Sequence, residues 1–391
     1  MKKRYIGIPL ILLAICITCL ILLPTETLAT EATSGTCGDN LTWVLAENGT
    51  LTISGTGDMA DYGDSSNPAP WYAKRDQITS VVIEDGVTSI GVCAFDQCGS
   101  LASVTLGNSV TTIGNRAFAG CKSLTSVVLP DSVTSIGDGA FQDCERLTSI
   151  NIPDSVTSIS HCAFGSCELL TSINIPDSVE YIGMAAFMRC LSLESITIPD
   201  SVTRIGDSAF YCCISLTSVT IGNGVTSIGD SAFQECGLTS ITIPDSVTII
   251  GDFAFSNCYS LTSVTIGNGV TTIGDCAFGL CARLASVTLG NSVTSIGDGA
   301  FENCGSLCHV LYLGTEEQWN AISVGSENSP LTAATRHYIA DREALAETCE
   351  YCSKYDPSNP NTGSTGLWGV VLVAMTSMAA LAICFTKKRE N

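Results

Sequence analysis

The chain predicts a repeat solenoid, about ten coils of 23 residues stacked through a parallel β-sheet, with a β-rich N-terminal cap. Three observations predict it. Phe95, Phe118, Phe141, Phe164, Phe187, Phe210, Phe233, Phe255, Phe278 and Phe301 recur every 23 residues, with one 22-residue step where CGLTS at 236–240 has lost a residue. A fixed period of roughly 20–50 residues marks a stacked array. Within each unit Ile150 and Ile152 alternate with polar residues, as a strand requires, and Val156 and Ile159 continue the apolar set beyond the turn at Pro153 and Asp154. Gly137 and its equivalents mark a corner, and Ala140 and Phe141 then supply a small and a large apolar side chain. One such unit, a strand plus a return path, is too short to bury its own apolar side, so neighbouring copies must bury it for one another.

The elements follow in order. Lys2, Lys3 and Arg4 precede an uncharged apolar run from Ile6 to Leu23, with small residues around Ala29; residues 1–29 read as a secretory signal peptide, an N-terminal anchor being the alternative. Residues 30–80 alternate apolar and polar around Asn48 and Gly49, which reads as a hairpin, and Trp43 and Trp71 offer area to cover the first coil. Residues 81–307 hold the repeats. Residues 308–340 abandon the period but keep Leu311, Trp319 and Ile322 as capping material. An open stack leaves edges at both ends that need such covers. Residues 341–366 are a polar linker rich in Pro, Gly, Ser and Asn. Residues 367–385 form an uncharged apolar stretch long enough to cross a bilayer as a helix, and the basic tail at 386–391 places that end inside the cell.

The unit I-x-I-P-x-x-V-x-x-I-G-x-x-A-F-x-x-C-x-x-L resembles the BspA-type leucine-rich repeat of bacterial surface proteins, from about Val81 to Leu307. The resemblance implies a right-handed, curved parallel-strand coil displayed on the cell surface for adhesion or ligand binding, with no catalytic residues to transfer. A second resemblance lies at Asn359, Pro360, Asn361, Thr362 and Gly363, followed by the apolar span and basic tail. It is similar to a cell-wall sorting signal, in which a sortase cysteine would attack the Thr362 carbonyl and pass Thr362 to the wall; Asn359 stands where that pattern has leucine. The alternative is a linker before a transmembrane anchor.

The chain has 21 cysteines, which in an exported protein invites a disulfide reading. Position argues otherwise for Cys98, Cys121, Cys144, Cys167, Cys190, Cys213, Cys236, Cys258, Cys281 and Cys304. Equivalent side chains in a stack lie one strand spacing apart with parallel Cα–Cβ vectors, whereas a disulfide wants Cβ atoms about 3.8 Å apart and tilted together. These ten are expected to form a ladder of buried free thiols. A line of single sulfurs is no tetrahedron, so a metal is not expected there. Cys93, Cys162 and Cys276 share another column; Cys212 and Cys308 are isolated; Cys349 and Cys352 form the one Cys-x-x-Cys, for which a loop disulfide, a redox pair or half a metal site all stay open.

Net charge is −21, and six of the 17 Lys and Arg sit in the two terminal stretches. Nucleic acid is therefore not an expected partner. His161, His309 and His337 sit in no motif pairing a base with a nucleophile, and phosphate-cradling and metalloprotease motifs are absent from the sequence, so neither an enzyme nor a cofactor is expected. The expected function is recognition of an extracellular protein or glycan, with sortase, wall and membrane as anchoring partners. The alternatives are a structural spacer and a carbohydrate binder using the outward Ser and Thr face, such as Ser195, Thr197, Ser218 and Thr220. The clearest departures from the repeat are Glu180, Tyr181, Met184, Met188, Arg189 and Leu191, then Arg204, Tyr211 and Ile214 in the next coil. Excepting Glu180, these form the candidate ligand patch. Asp131, Asp154, Asp177, Asp200 and Asp245 each follow proline in a turn, where Asp is favoured locally; weak calcium binding between them is the rarer reading.

Overall fold

The computed structural model describes residues 33–63 and 67–338. The segments read as a signal peptide, a linker with a sorting motif, an apolar span and a tail, together with Cys349 and Cys352, lie outside the described residues. Among the described residues no helix is long and apolar enough to cross a membrane.

The chain winds into a parallel-strand β-solenoid with a repeat near 23 residues. The coils build two strand ladders, not the single strand and return path read from the sequence, though residues 172–175 form no strand in the first. The first ladder runs through Ser80–Ile83, Ser103–Thr105, Ser126–Val127 and Ser149–Ile150, and later through Ser195–Ile198 and Ser218–Ile221, then Ser240–Ile243, Ser263–Ile266 and Ser286–Leu289. The second comprises two-residue strands after the Pro-Asp or Gly-Asn turn, among them Thr112–Ile113, Ser158–Ile159, Tyr181–Ile182, Arg204–Ile205 and Ser295–Ile296. Register keeps equivalent residues side by side, Ile196 against Val219 and Ile198 against Ile221 in the first ladder, Ile182 against Ile205 in the second. Alternate residues therefore point inward on every coil, which is why the Ile and Val columns are buried.

The third side is the Ala-Phe-x-x-Cys turn. Its phenylalanine amide donates to the alanine carbonyl of the following coil, Phe95 to Ala117 at 2.8 Å and Phe278 to Ala300 at 2.8 Å, with the same bond between. The rings beneath stack along the axis with centroids 5.1–5.8 Å apart. Two residues per coil, two before and two after Phe, take left-handed φ near +55° to +60°, and most are not glycine, for example Cys93, Gln97, Ser166 and Arg189. A non-glycine residue there carries roughly 1–2 kcal/mol of strain, which the hydrogen bonds on either side offset. The corner glycines have a different reason. Gly206 lacks positive φ, but a Cβ on it would sit 2.7 Å from the backbone of Gly183 and Met184 one coil away. Close stacking, not backbone freedom, requires glycine in that column.

Side-chain ladders reinforce the stack. Thr111, Thr134, Thr203, Thr226, Thr248 and Thr271 each donate a hydroxyl to the carbonyl of the preceding coil's equivalent residue. At the N-terminal end Leu41–Leu45 and Thr50–Gly55 pair antiparallel, and Thr50–Gly55 then pairs parallel with Ser80–Ile83, which converts a hairpin into the first coil. At the other end, His309–Tyr312 and Thr335–Tyr338 extend the first ladder and Ser323–Val324 the second, although the sequence period has been lost there. Between them lie two short helices, Glu316–Asn320 with a Thr315–Gln318 capping box, and Ser329–Ala333 with Pro330 in its first turn.

Candidate functional site

The cysteine ladder lies inside the stack. All ten members are buried free thiols. Each Sγ from Cys121 onward donates to the phenylalanine carbonyl of the preceding coil, for example Cys121 to Phe95 at 3.3 Å, Cys144 to Phe118 at 3.3 Å and Cys304 to Phe278 at 3.1 Å. That carbonyl also accepts the amide of its own coil's cysteine, Cys98 on Phe95 at 3.1 Å. The sulfur thus gives a buried carbonyl a second partner. Burial pushes the thiols of Cys98, Cys144, Cys258 and Cys304 up to about 12, and those of Cys121, Cys167, Cys190, Cys236 and Cys281 well above their ordinary value. Such thiols are structural, not nucleophilic. Cys93, Cys162, Cys212 and Cys276 are free and half-buried, and Cys308 is disulfide-bonded.

The nine departures from the repeat do not form one face. Tyr181 and Arg204 sit opposite each other in the second ladder, with the ring of His161 6.4 Å from that of Tyr181. Met184, 45% exposed, stands at the corner beyond. Met188, Arg189, Tyr211 and Cys212 occupy the third side, and Leu191 and Ile214 the turn after it. There the structure brings groups together. Arg189 lies 3.8 Å from the Glu168 carboxylate, its amide donates to the Tyr211 carbonyl at 2.8 Å, and the Tyr211 hydroxyl donates to Glu235 at 3.4 Å. Burial first, then the Glu235 charge, raises the Tyr211 phenol.

Several residues on the same turns escaped the sequence reading. Tyr259 is 62% exposed in the column of Leu191 and Ile214, and Leu280 and Phe253 are 43% exposed at left-handed positions. Aligning the copies column by column would have shown them, because small or polar residues hold those places elsewhere. His309 Nδ1 and His337 Nε2, 3.3 Å apart, meet only because the ladder continues past the last repeat; burial lowers His337 below its ordinary value. The aspartates missed as a set are Asp207, Asp230, Asp252, Asp275 and Asp298. Each accepts the amide of its successor, Asp207 from Asp230 at 3.1 Å and Asp275 from Asp298 at 2.8 Å, and Asp298 accepts that of Ser326. Of the turn aspartates, Asp200 and Asp245 likewise take the amides of Asn223 and Asn268 at 2.6 Å. Among the described residues no three His, Cys, Asp or Glu side chains converge to hold a metal ion.

A family model of the BspA type leucine rich repeat region, six copies long, matches residues 69–194 and again 180–308. The chain belongs to the BspA-type leucine-rich-repeat family. Among solved structures, this BspA-type chain is similar to a leucine-rich repeat protein from Bacteroides ovatus ATCC 8483, at 27% identity and a TM-score of 0.54, over 77% of this chain and 90% of that one. It is also similar to a leucine-rich repeat protein from Eubacterium ventriosum ATCC 27560, at 27% identity, TM-score 0.47, over 71% and 84%. A leucine rich cell surface protein from Faecalibacterium prausnitzii A2-165 is 30% identical, TM-score 0.40, over 74% and 97%. No curated protein matches the chain.

Proposed function

We propose that this BspA-type protein is exported, held at the cell surface, and uses its rod to recognise an extracellular protein or glycan. The observation that carries this reading is the contrast between inside and outside. Inward columns repeat coil after coil, whereas on the third side and its following turn, the side that carries Arg189 and Tyr211, the residues Ile214, Tyr259 and Leu280 of different coils expose 56%, 62% and 43% of their surface. Exposed apolar groups rimmed by polar ones mark contact surfaces, and Tyr and Arg are the residues that most often carry interface energy. The basic and apolar N-terminus supports export, and the sequence from Asn359 through the apolar span supports sortase or membrane anchoring.

Arrays of extracellular-matrix proteins and of glycans, probed with the purified protein, test the proposal. Binding to at least one class, weakened by replacing Arg189, Tyr211 and Ile214 with serine while the melting temperature holds, is the expected result. Silence on both arrays would instead favour a spacer. Trypsin shaving of intact cells checks the surface location.

A further inference from the structure

The outward column of the first ladder holds threonine in most coils, as at Thr197 and Thr220, which are paired, and at Thr242, Thr265 and Thr288, which are paired in turn. Three consecutive coils depart from it, with Val128, Asn151 and Asn174. One of the ladder's two breaks lies at the same place, the other falling between Ser218–Ile221 and Ser240–Ile243 although threonine holds the column there. Ser149–Ile150 ends one sheet, Ser195–Ile198 begins the next, and residues 172–175 between them make no backbone hydrogen bond to either neighbouring coil. The phenylalanine rings are also furthest apart here, 5.8 Å between Phe141 and Phe164.

Asn151 shows how an amide can replace strand pairing. Its Oδ1 accepts the Leu129 amide at 2.9 Å and its Nδ2 donates to the Leu129 carbonyl at 3.0 Å. Asn174 occupies the equivalent position toward Ile152, makes no such clamp, and is exposed. Two grooves lie along these coils, one beside the break and one beside the paired step before it. One of about 400 Å³ is lined by Asp154, Asn174, Pro176 and Asp177, the other of about 420 Å³ by Asp131, Asn151, Pro153 and Asp154. Val128, 74% exposed, adds an apolar neighbour to the second.

From this geometry we infer that the two grooves bind a neutral glycan, deepening the recognition role proposed above and resting on it. The free Asn174 amide offers both donors and an acceptor, and the carboxylates of Asp131, Asp154 and Asp177 accept from hydroxyls in pairs. Anionic chains are repelled by those three carboxylates. A metal ion lacks a convergent ligand set. An added peptide strand does not fit, because the coils on either side of the break remain joined on their other sides, Glu180 amide to Thr157 at 2.9 Å and Phe164 amide to Ala186 at 2.8 Å. The grooves share Asp154 and repeat at the coil spacing, roughly 4.8 Å, close to the length of one pyranose unit, so an extended glycan can place successive sugars in successive grooves.

Titration of the full chain with cellohexaose, xylohexaose, mannohexaose and maltohexaose, with heparin as the anionic control, tests this inference. At least one neutral hexasaccharide binds, heparin does not, and N174T weakens binding roughly tenfold, the loss expected for one or two hydrogen bonds. Threonine is the column's ordinary residue, so this variant keeps the fold, which a thermal melt verifies; N151T/N174T removes both amides and abolishes binding. Absence of binding by all four sugars, or equal binding by N174T, overturns the inference. If the matrix-protein array is positive in that case, the recognition role stands without the groove; if every array is silent, both fall.

Discussion

Trp71 lies on Phe95 as one more ring of the stack, centroids 5.4 Å apart and planes 17° apart, and its Nε1 donates to the Ala94 carbonyl at 2.8 Å. In every following coil that carbonyl accepts a phenylalanine amide from the coil before. The first coil has no predecessor, so an indole supplies both the ring and the donor. Replacing Trp71 by phenylalanine should keep the stack and orphan the carbonyl, at about 1–3 kcal/mol; alanine should cost about 3–5 kcal/mol. Urea unfolding of both variants measures the difference.

Asn328 solves the mirror problem at the other end. Its Oδ1 accepts the Phe301 amide at 3.0 Å in place of the missing alanine carbonyl, while Nδ2 donates to Gly297, Gly325 and Ser326 carbonyls at 2.8, 3.0 and 3.1 Å. Asn328→Ala should destabilise by about 3 kcal/mol, since several buried groups lose their partner together. Hydrogen exchange should show protection lost first in the last coils; uniform loss along the rod would contradict the capping role.

The thiol ladder predicts a pattern of reactivity. In the native protein at pH 8, a thiol reagent should modify Cys93, Cys162, Cys212 and Cys276 and spare the ten buried members, which appear only on unfolding without reductant. Cys144→Ala should cost about 1 kcal/mol, the net worth of one hydrogen bond, and reductant alone should leave the melting temperature of the repeats unchanged.

Stability should fall in alkali. Burial raises the folded-state pKa of Cys121, Cys167, Cys190, Cys236 and Cys281 above the unfolded value near 9, and that of Cys98, Cys144, Cys258 and Cys304 up to about 12. The folded state then holds protons that the unfolded state releases, so the contribution is complete below pH 9 and is lost as pH rises toward 12. Each such thiol removes about 1.4 kcal/mol per pH unit across that window. Urea midpoints at pH 7, 9, 10 and 11 should decline only beyond pH 9, and less steeply when Cys144 and Cys258 are both alanine.

Gly206→Ala tests the stacking distance. A methyl 2.7 Å from the Met184 amide nitrogen forces neighbouring coils apart, and overpacking of this kind costs about 1–3 kcal/mol. If the cost came instead from backbone flexibility, an equal change would follow at an exposed glycine such as Gly305, which has nothing within 4 Å of its Cβ position.

The repeat period and the alternation of apolar residues determined, without coordinates, that this chain stacks as a solenoid, that phenylalanine and cysteine fill every coil, and that the ladder cysteines do not pair with one another. These properties follow from composition repeated at fixed spacing, because identical neighbours must bury one another. Tertiary structure alone decided the rest. That a coil has two ladders, that Trp71 and Asn328 replace backbone groups of absent coils, and that Tyr181 and Tyr211 fall on different sides all depend on how the chain turns between strands. Likewise the break at Asn174 is invisible in a sequence where asparagine simply replaces threonine. There the Asn151 amide bonds the Leu129 backbone while Asn174 makes no such bond to Ile152, so residue type alone does not decide which side chain reaches the neighbouring coil; the packing of the coils does.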